Sequence, residues 1–100
     1  MIKHIVMLNL PEDHDAEELA DIMVGLSELP LAGFEGFEHG PNRDFEAKSQ
    51  DYPYGFICTF ADEAALHRYA NDPNHQALGG RLVALCNGGA DGIMVMDLAI

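Results

Sequence analysis

The sequence predicts an α+β fold, a ferredoxin-like β-α-β-β-α-β protomer with an antiparallel four-stranded sheet, two such sheets closing into one barrel as a dimer. Three observations predict it. Four segments alternate at the period of a strand and two stretches repeat at the period of a helix. Their order is the split βαβ order, which places helices on one side of the sheet only. The strand faces turned away from those helices are themselves apolar, and a bare apolar sheet face wants a cover, most economically a second copy.

Ile2 to Leu10, IKHIVMLNL, reads as the first strand. Ile2, His4, Val6, Leu8 and Leu10 share one face, and Lys3, Ile5, Met7 and Asn9 the other. Pro11 ends it, and Asp13 to Leu29 reads as a helix, with Ala16, Leu19, Ile22, Met23, Leu26 and Leu29 at helical spacing. Asp13, Asp15, Glu17 and Glu18 load its first turns, where the helix dipole favours negative charge. Phe34 to Gly40 is a weak second strand, interrupted by two glycines. A polar loop, PNRDFEAKSQDYP, follows. Tyr54 to Phe60, YGFICTF, is a strong third strand, with Tyr54, Phe56, Cys58 and Phe60 pointing one way. Asp62 caps a helix running to Ala70 with Ala65, Leu66 and Tyr69 inward. Asp72-Pro73 breaks it, since Asp is a good N-cap and Pro a good first helical residue. The new helix carries Ala77, Leu78, Leu82, Leu85 and Cys86 and ends at Asn87-Gly88-Gly89. Gly92 to Ile100, GIMVMDLAI, is the last strand, apolar on both faces. Residues 1–100 thus make one domain, with no repeat or linker.

The bulk numbers exclude several classes. With 48% hydrophobic residues the chain folds rather than staying disordered. No apolar run approaches the roughly 18 residues of a membrane span, and the N-terminus lacks the pattern of a signal peptide, so a cytoplasmic protein is expected. The formal charge of −12 repels phosphate backbones and anionic membranes, which argues against nucleic acid and membrane partners. Cys58 and Cys86 form no CxxC pair and read as free, buried thiols.

The stretch YANDPNHQAL carries the chemistry. With Asp72 as N-cap, His75 is the third residue of the helix, where unpaired N–H groups and the positive dipole end disfavour imidazolium. Asp72 pulls the other way. A neutral histidine can act as a general base; equally, His75 can simply pack at a helix start. His4 lies on the helix-covered strand face, Tyr54 on the aromatic face of the third strand, and Tyr69 at the end of the helix before the break. Convergence of these four on a cavity between sheet and helices would suit proton transfer on a carbonyl or phenol, while each alone is as well explained by a buried hydrogen-bonded network. His4, His14, His39, His67 and His75 show no metal-ligand spacing, and the Gly79-Gly80 and Gly88-Gly89 pairs do not lead from a strand into a helix as phosphate loops do. His14 and His39 are expected in or near polar loops and His67 on an exposed helix face.

The chain resembles the stress-responsive dimeric α/β-barrel family, the Dabb domain. The resemblance runs through IKHIVMLNL, Gly40-Pro41-Asn42, Tyr54-Gly55-Phe56, Phe60-Ala61-Asp62 and, most specifically, the Tyr69 to His75 motif. The family more often has His where this chain has Asp72. It implies a ferredoxin-like protomer in a barrel homodimer. A plant member closes a linear polyketide by aldol condensation. Its base corresponds to His75, the base's tyrosine partner to Tyr69 and a strand-one histidine to His4. A further pocket histidine falls at Tyr54, and a first-helix tyrosine has no counterpart near Ile22, so the base carries over and the substrate-shaping residues do not. Haem-degrading and quinol-oxidising relatives of the barrel suggest little here, since the chain has no Trp and no histidine placed as a haem ligand.

Two readings follow. In the first, a small partly apolar carbonyl or aromatic compound binds between sheet and helices. His75 is then the general base, Tyr69 orients it or polarises the carbonyl, and His4, Tyr54 and Phe56 line the pocket. The chemistry is proton transfer of cyclase, isomerase or aldol type, with no cofactor and no metal. In the second, the protein is a non-catalytic stress-response or ligand-binding dimer in which His75 and Tyr69 only hold the helix break together.

Overall fold

A computed structural model describes residues 1–100. Its elements are β1 (Ile2–Leu8), α1 (Ala16–Ser27), β2 (Phe34–Pro41), β3 (Tyr54–Phe60), α2 (Glu63–Asn71), α3 (Pro73–Leu85), a 3-10 turn (Gly89–Gly92) and β4 (Ile93–Ala99). The strands form one antiparallel sheet in the order β2-β3-β1-β4, the ferredoxin-like arrangement expected from the sequence. No helix is long and apolar enough to cross a membrane.

The strand register decides which residues can meet. His4 of β1 sits between Cys58 of β3 and Asp97 of β4, so these three form one row across the helix-covered face. On the other face Ile5 lies between Ile57 and Met96, and Met7 between Gly55 and Met94. That face has no cover within the protomer: Met94, Met96 and Leu98 remain 37%, 45% and 49% exposed. The helix-side core gathers Val6, Leu8, Ile22, Leu26, Phe56, Cys58, Phe60 and Tyr69. Both cysteines are free and buried.

Several boundaries differ from the sequence expectation for identifiable reasons. β1 stops at Leu8 rather than Leu10, because Asn9 turns its backbone to the 3-10 segment, bonding Gly92 and Asn87. α1 starts at Ala16 rather than Asp13, because the Asp15 side chain caps it by accepting the Glu18 N–H at 3.0 Å. β2 is a full strand rather than a weak one, and it absorbs its glycine through a register shift between Phe34 and Gly36. His39 lies near the end of this strand, exposed, beside the polar loop. The helix break falls where Asp72-Pro73 predicts it: Asp72 caps α3 by accepting the His75 N–H at 2.9 Å, and Pro73 takes the first turn.

Candidate functional site

The site is built around that break. α2 ends by burying Tyr69, which is only 2% exposed, against the sheet. The chain reverses at Asp72, and the first turn of α3 returns His75 to the same ring. The two ring centroids are 3.7 Å apart with planes inclined by 31°. The His4 ring approaches Tyr69 from the sheet side, edge-on at 5.7 Å. Together with Phe56, Leu82 and Val83 these rings line an apolar cavity of about 300 Å³ between sheet and helices. Along α3 the residues His75, Gly79, Leu82 and Val83 form its wall, the i, i+4, i+7, i+8 stripe of one helix face.

The polar atoms in this apolar setting are few and distinct. His4 Nδ1 lies 2.6 Å from Asp97 Oδ1, its cross-strand neighbour, the distance of a charge-assisted hydrogen bond. A carboxylate can only accept, so the hydrogen sits on Nδ1. The Tyr69 hydroxyl is turned inward, 3.8 Å from the Cys58 thiol, which donates to it. Burial makes both weaker acids: the Cys58 thiol pKa is pushed up to about 12, and that of the Tyr69 phenol also shifts upward. Both are fixed as neutral groups. His75 is different. Its Nδ1 is buried with no hydrogen-bond partner. Buried polar atoms are nearly always paired, so this nitrogen beside the cavity is an unmet hydrogen-bonding demand.

His75 is held below its ordinary value of 6.5, first by burial, then by the charge of nearby His4. The Tyr69 carbonyl and Asp72 oppose this without reversing it. The opposing pulls read from the sequence are therefore settled by desolvation, which dominates over the helix cap.

Three of the expected pocket groups, His4, Tyr69 and His75, come together here, and Phe56 with them. Tyr54 does not. It pairs in register with Leu8 while His4 pairs with Cys58, so it stands about 13 Å farther along the strand at ~3.3 Å per residue. There its hydroxyl meets His39 Nδ1 at 2.6 Å. Strand alternation places Tyr54 on the correct face but not at the correct level. His14 bonds the Pro11 carbonyl, and His67 is on an exposed face of α2. The residue missed in the sequence is Asp97, whose signal was a lone charge inside the apolar run GIMVMDLAI.

The sequence model of the stress-responsive A/B barrel domain family, Dabb, matches residues 2–100, and the chain belongs to that family. Curated proteins give no match. Among solved structures, a dimeric ferredoxin-like protein of unknown function from Jannaschia sp. CCS1 is 50% identical, with a TM-score of 0.93 over 99% of this chain and 98% of that one. A Dabb family protein with a ferredoxin-like fold from Mesorhizobium loti is 25% identical, with a TM-score of 0.74 over 99% and 95%. A hydroxynitrile lyase from Passiflora edulis is 14% identical, with a TM-score of 0.80 over 99% and 92%, a likeness of fold alone.

Proposed function

We propose that this Dabb protein binds a small, partly apolar carbonyl or aromatic compound in the His4–Tyr69–His75 cavity and moves a proton on it without a cofactor. The observation that carries this reading is the buried, unpartnered Nδ1 of His75 at an apolar cavity. A histidine kept only for packing would find a partner for that atom. Desolvation keeps the imidazole neutral near pH 7, the form a general base requires. Tyr69 orients it through ring stacking, since its hydroxyl is directed at Cys58. His4 and Phe56 shape the pocket, while Tyr54 lies outside it, paired with His39.

Size narrows the ligand. A cavity of about 150 Å³ holds one benzene ring, so about 300 Å³ suits a compound of one or two rings or a comparable chain. The working unit is a homodimer, its two open sheet faces packed together through Ile5, Met7, Ile57, Met94 and Met96. The exposure of these residues supports this, as does the dimeric description of the Jannaschia relative. The direct test is an NMR screen of one-ring aryl ketones and phenols at millimolar concentration. Binders are expected to move the His75 and Tyr69 resonances, and His75→Ala to abolish any turnover found. A screen that moves neither resonance overturns the reading.

A further inference from the structure

Two charges interrupt the open sheet face. In register, the strand positions turned to it are apolar, glycine or threonine, except Lys3 on β1 and Glu38 on β2. Lys3 is costly to place there. The chain has a formal charge of −12 and only five lysines and arginines. A lysine on an edge strand guards against stray pairing, but β1 is an inner strand of this sheet. The Lys3 ammonium donates to the Thr59 hydroxyl at 2.9 Å, a neutral acceptor. Glu38 borders, with Ile5, Met7, Gly55 and Ile57, a hollow of about 280 Å³ in the same face. Neither Lys3 nor Glu38 takes part in any ion pair of the protomer. Covering either charge without an opposite one is strongly unfavourable.

Within one protomer the two are apart. Two strand spacings and two residues separate them, about 12 Å at the backbone. A two-fold contact removes that distance, because residue i of one copy meets j of the other and j meets i. Sheets packed face to face stand about 10 Å apart, a gap that a lysine and a glutamate side chain span together. A two-fold axis that carries Lys3 onto the partner's Glu38 crosses β3 at the level of Cys58, inside the face. It sets the strands of the two sheets at about 70°, close to the orthogonal class of sheet packing. The same rotation brings Met96 over the partner's Gly55, so a large side chain meets the hollow.

We propose that Lys3 of each protomer pairs with the partner's Glu38, and that these two symmetry-related ion pairs select a second copy of this chain and fix its orientation. This rests on the sheet-to-sheet homodimer. Apolar cover drives the faces together, and the charges decide which partner and which angle.

Charge reversal in the full chain tests it. Lys3→Glu and Glu38→Lys are made separately, one of them isotope-labelled. Each variant alone puts two like-charged pairs into its homodimer. Mixed, they form a heterodimer in which both pairs are again opposite in sign. Sedimentation is expected to show each variant dimerising about tenfold or more weakly than the wild type, with unchanged circular dichroism. Native mass spectrometry of the mixture should show heterodimer well above the statistical proportion. Variants that dimerise as tightly as the wild type, or a statistical mixture, overturn the ion pair and leave the homodimer standing. A wild type that is monomeric at micromolar concentration overturns both. If a reversal prevents folding, neutral Lys3→Met and Glu38→Gln with their double variant form a cycle. Their effects on the dimer dissociation constant should then depart from additivity by about threefold or more, and additive effects overturn the pair.

Discussion

The imidazole of His75 stacks on the ring of Tyr69, their centroids 3.7 Å apart, across a helix break that Asp72 caps. The cap and the stack are one device. The Asp72 carboxylate holds the His75 N–H at 2.9 Å, which fixes the first turn of α3, and that turn delivers the imidazole to the cavity.

The two stacked residues should differ sharply under truncation. Tyr69 is fully buried, so Tyr69→Ala is expected to cost about 3–5 kcal/mol. His75 is half-buried and its Nδ1 has no hydrogen-bond partner to orphan, so His75→Ala should cost only about 1 kcal/mol, the worth of an aromatic stack. Urea unfolding of both variants checks this. A loss of 3 kcal/mol or more in His75→Ala would restore the view that the residue is structural cement.

The lowered His75 pKa sets the direction of a pH effect. As pH falls through 6.5 the unfolded chain takes up a proton at this position that the folded chain resists. The unfolded state then binds more protons, and stability falls as pH is lowered, down to the folded-state value. Wild type compared with His75→Gln in urea melts from about pH 7.5 to about pH 5 isolates the effect, since the other histidines are common to both. The wild type should lose ground relative to the variant below pH 6.5; parallel curves would refute burial as the cause.

Gly79 and Gly80 form a matched pair on α3. A Cβ at either meets nothing within 4 Å, but Gly79 lines the cavity and Gly80 is exposed. Each Gly→Ala change should stabilise the helix by about 0.5–1 kcal/mol. Only Gly79→Ala narrows the space beside His75, so it alone should weaken para-nitrophenol binding. Thermal melts and binding titrations on both variants decide it, and equal affinity in the two would remove Gly79 from the site.

Met96 tests the open face. It lies beside Ile5 at 45% exposure, and a charge there costs the lone protomer little. Met96→Glu is expected to give a folded monomer by light scattering with unchanged circular dichroism, because the glutamate would be buried without a partner only in the dimer. A dimer that survives the substitution places the interface elsewhere.

How much was legible beforehand depends on the kind of information each residue carries. The strands, the helix break and the His75 position follow from period and capping chemistry, which are local. His4 was placed on the correct face by alternation alone. Tyr54 was not placed at the correct level, because period gives the face of a strand while only register gives the position along it. Asp97 was invisible as a partner for the same reason: its meeting with His4 depends on pairing between the two ends of the chain. Gly79, four residues after His75, was recoverable from helical spacing once the cavity was known.

The most direct test of the site is an NMR pH titration of the five imidazoles, run on the wild type and on His4→Gln. The account predicts that His75 titrates below 6.5 and that its midpoint rises when the charge of His4 is removed. A His75 curve with its midpoint at or above 6.5 that ignores the His4 substitution would contradict it, and the stretch YANDPNHQAL would then be a helix start with an ordinary histidine.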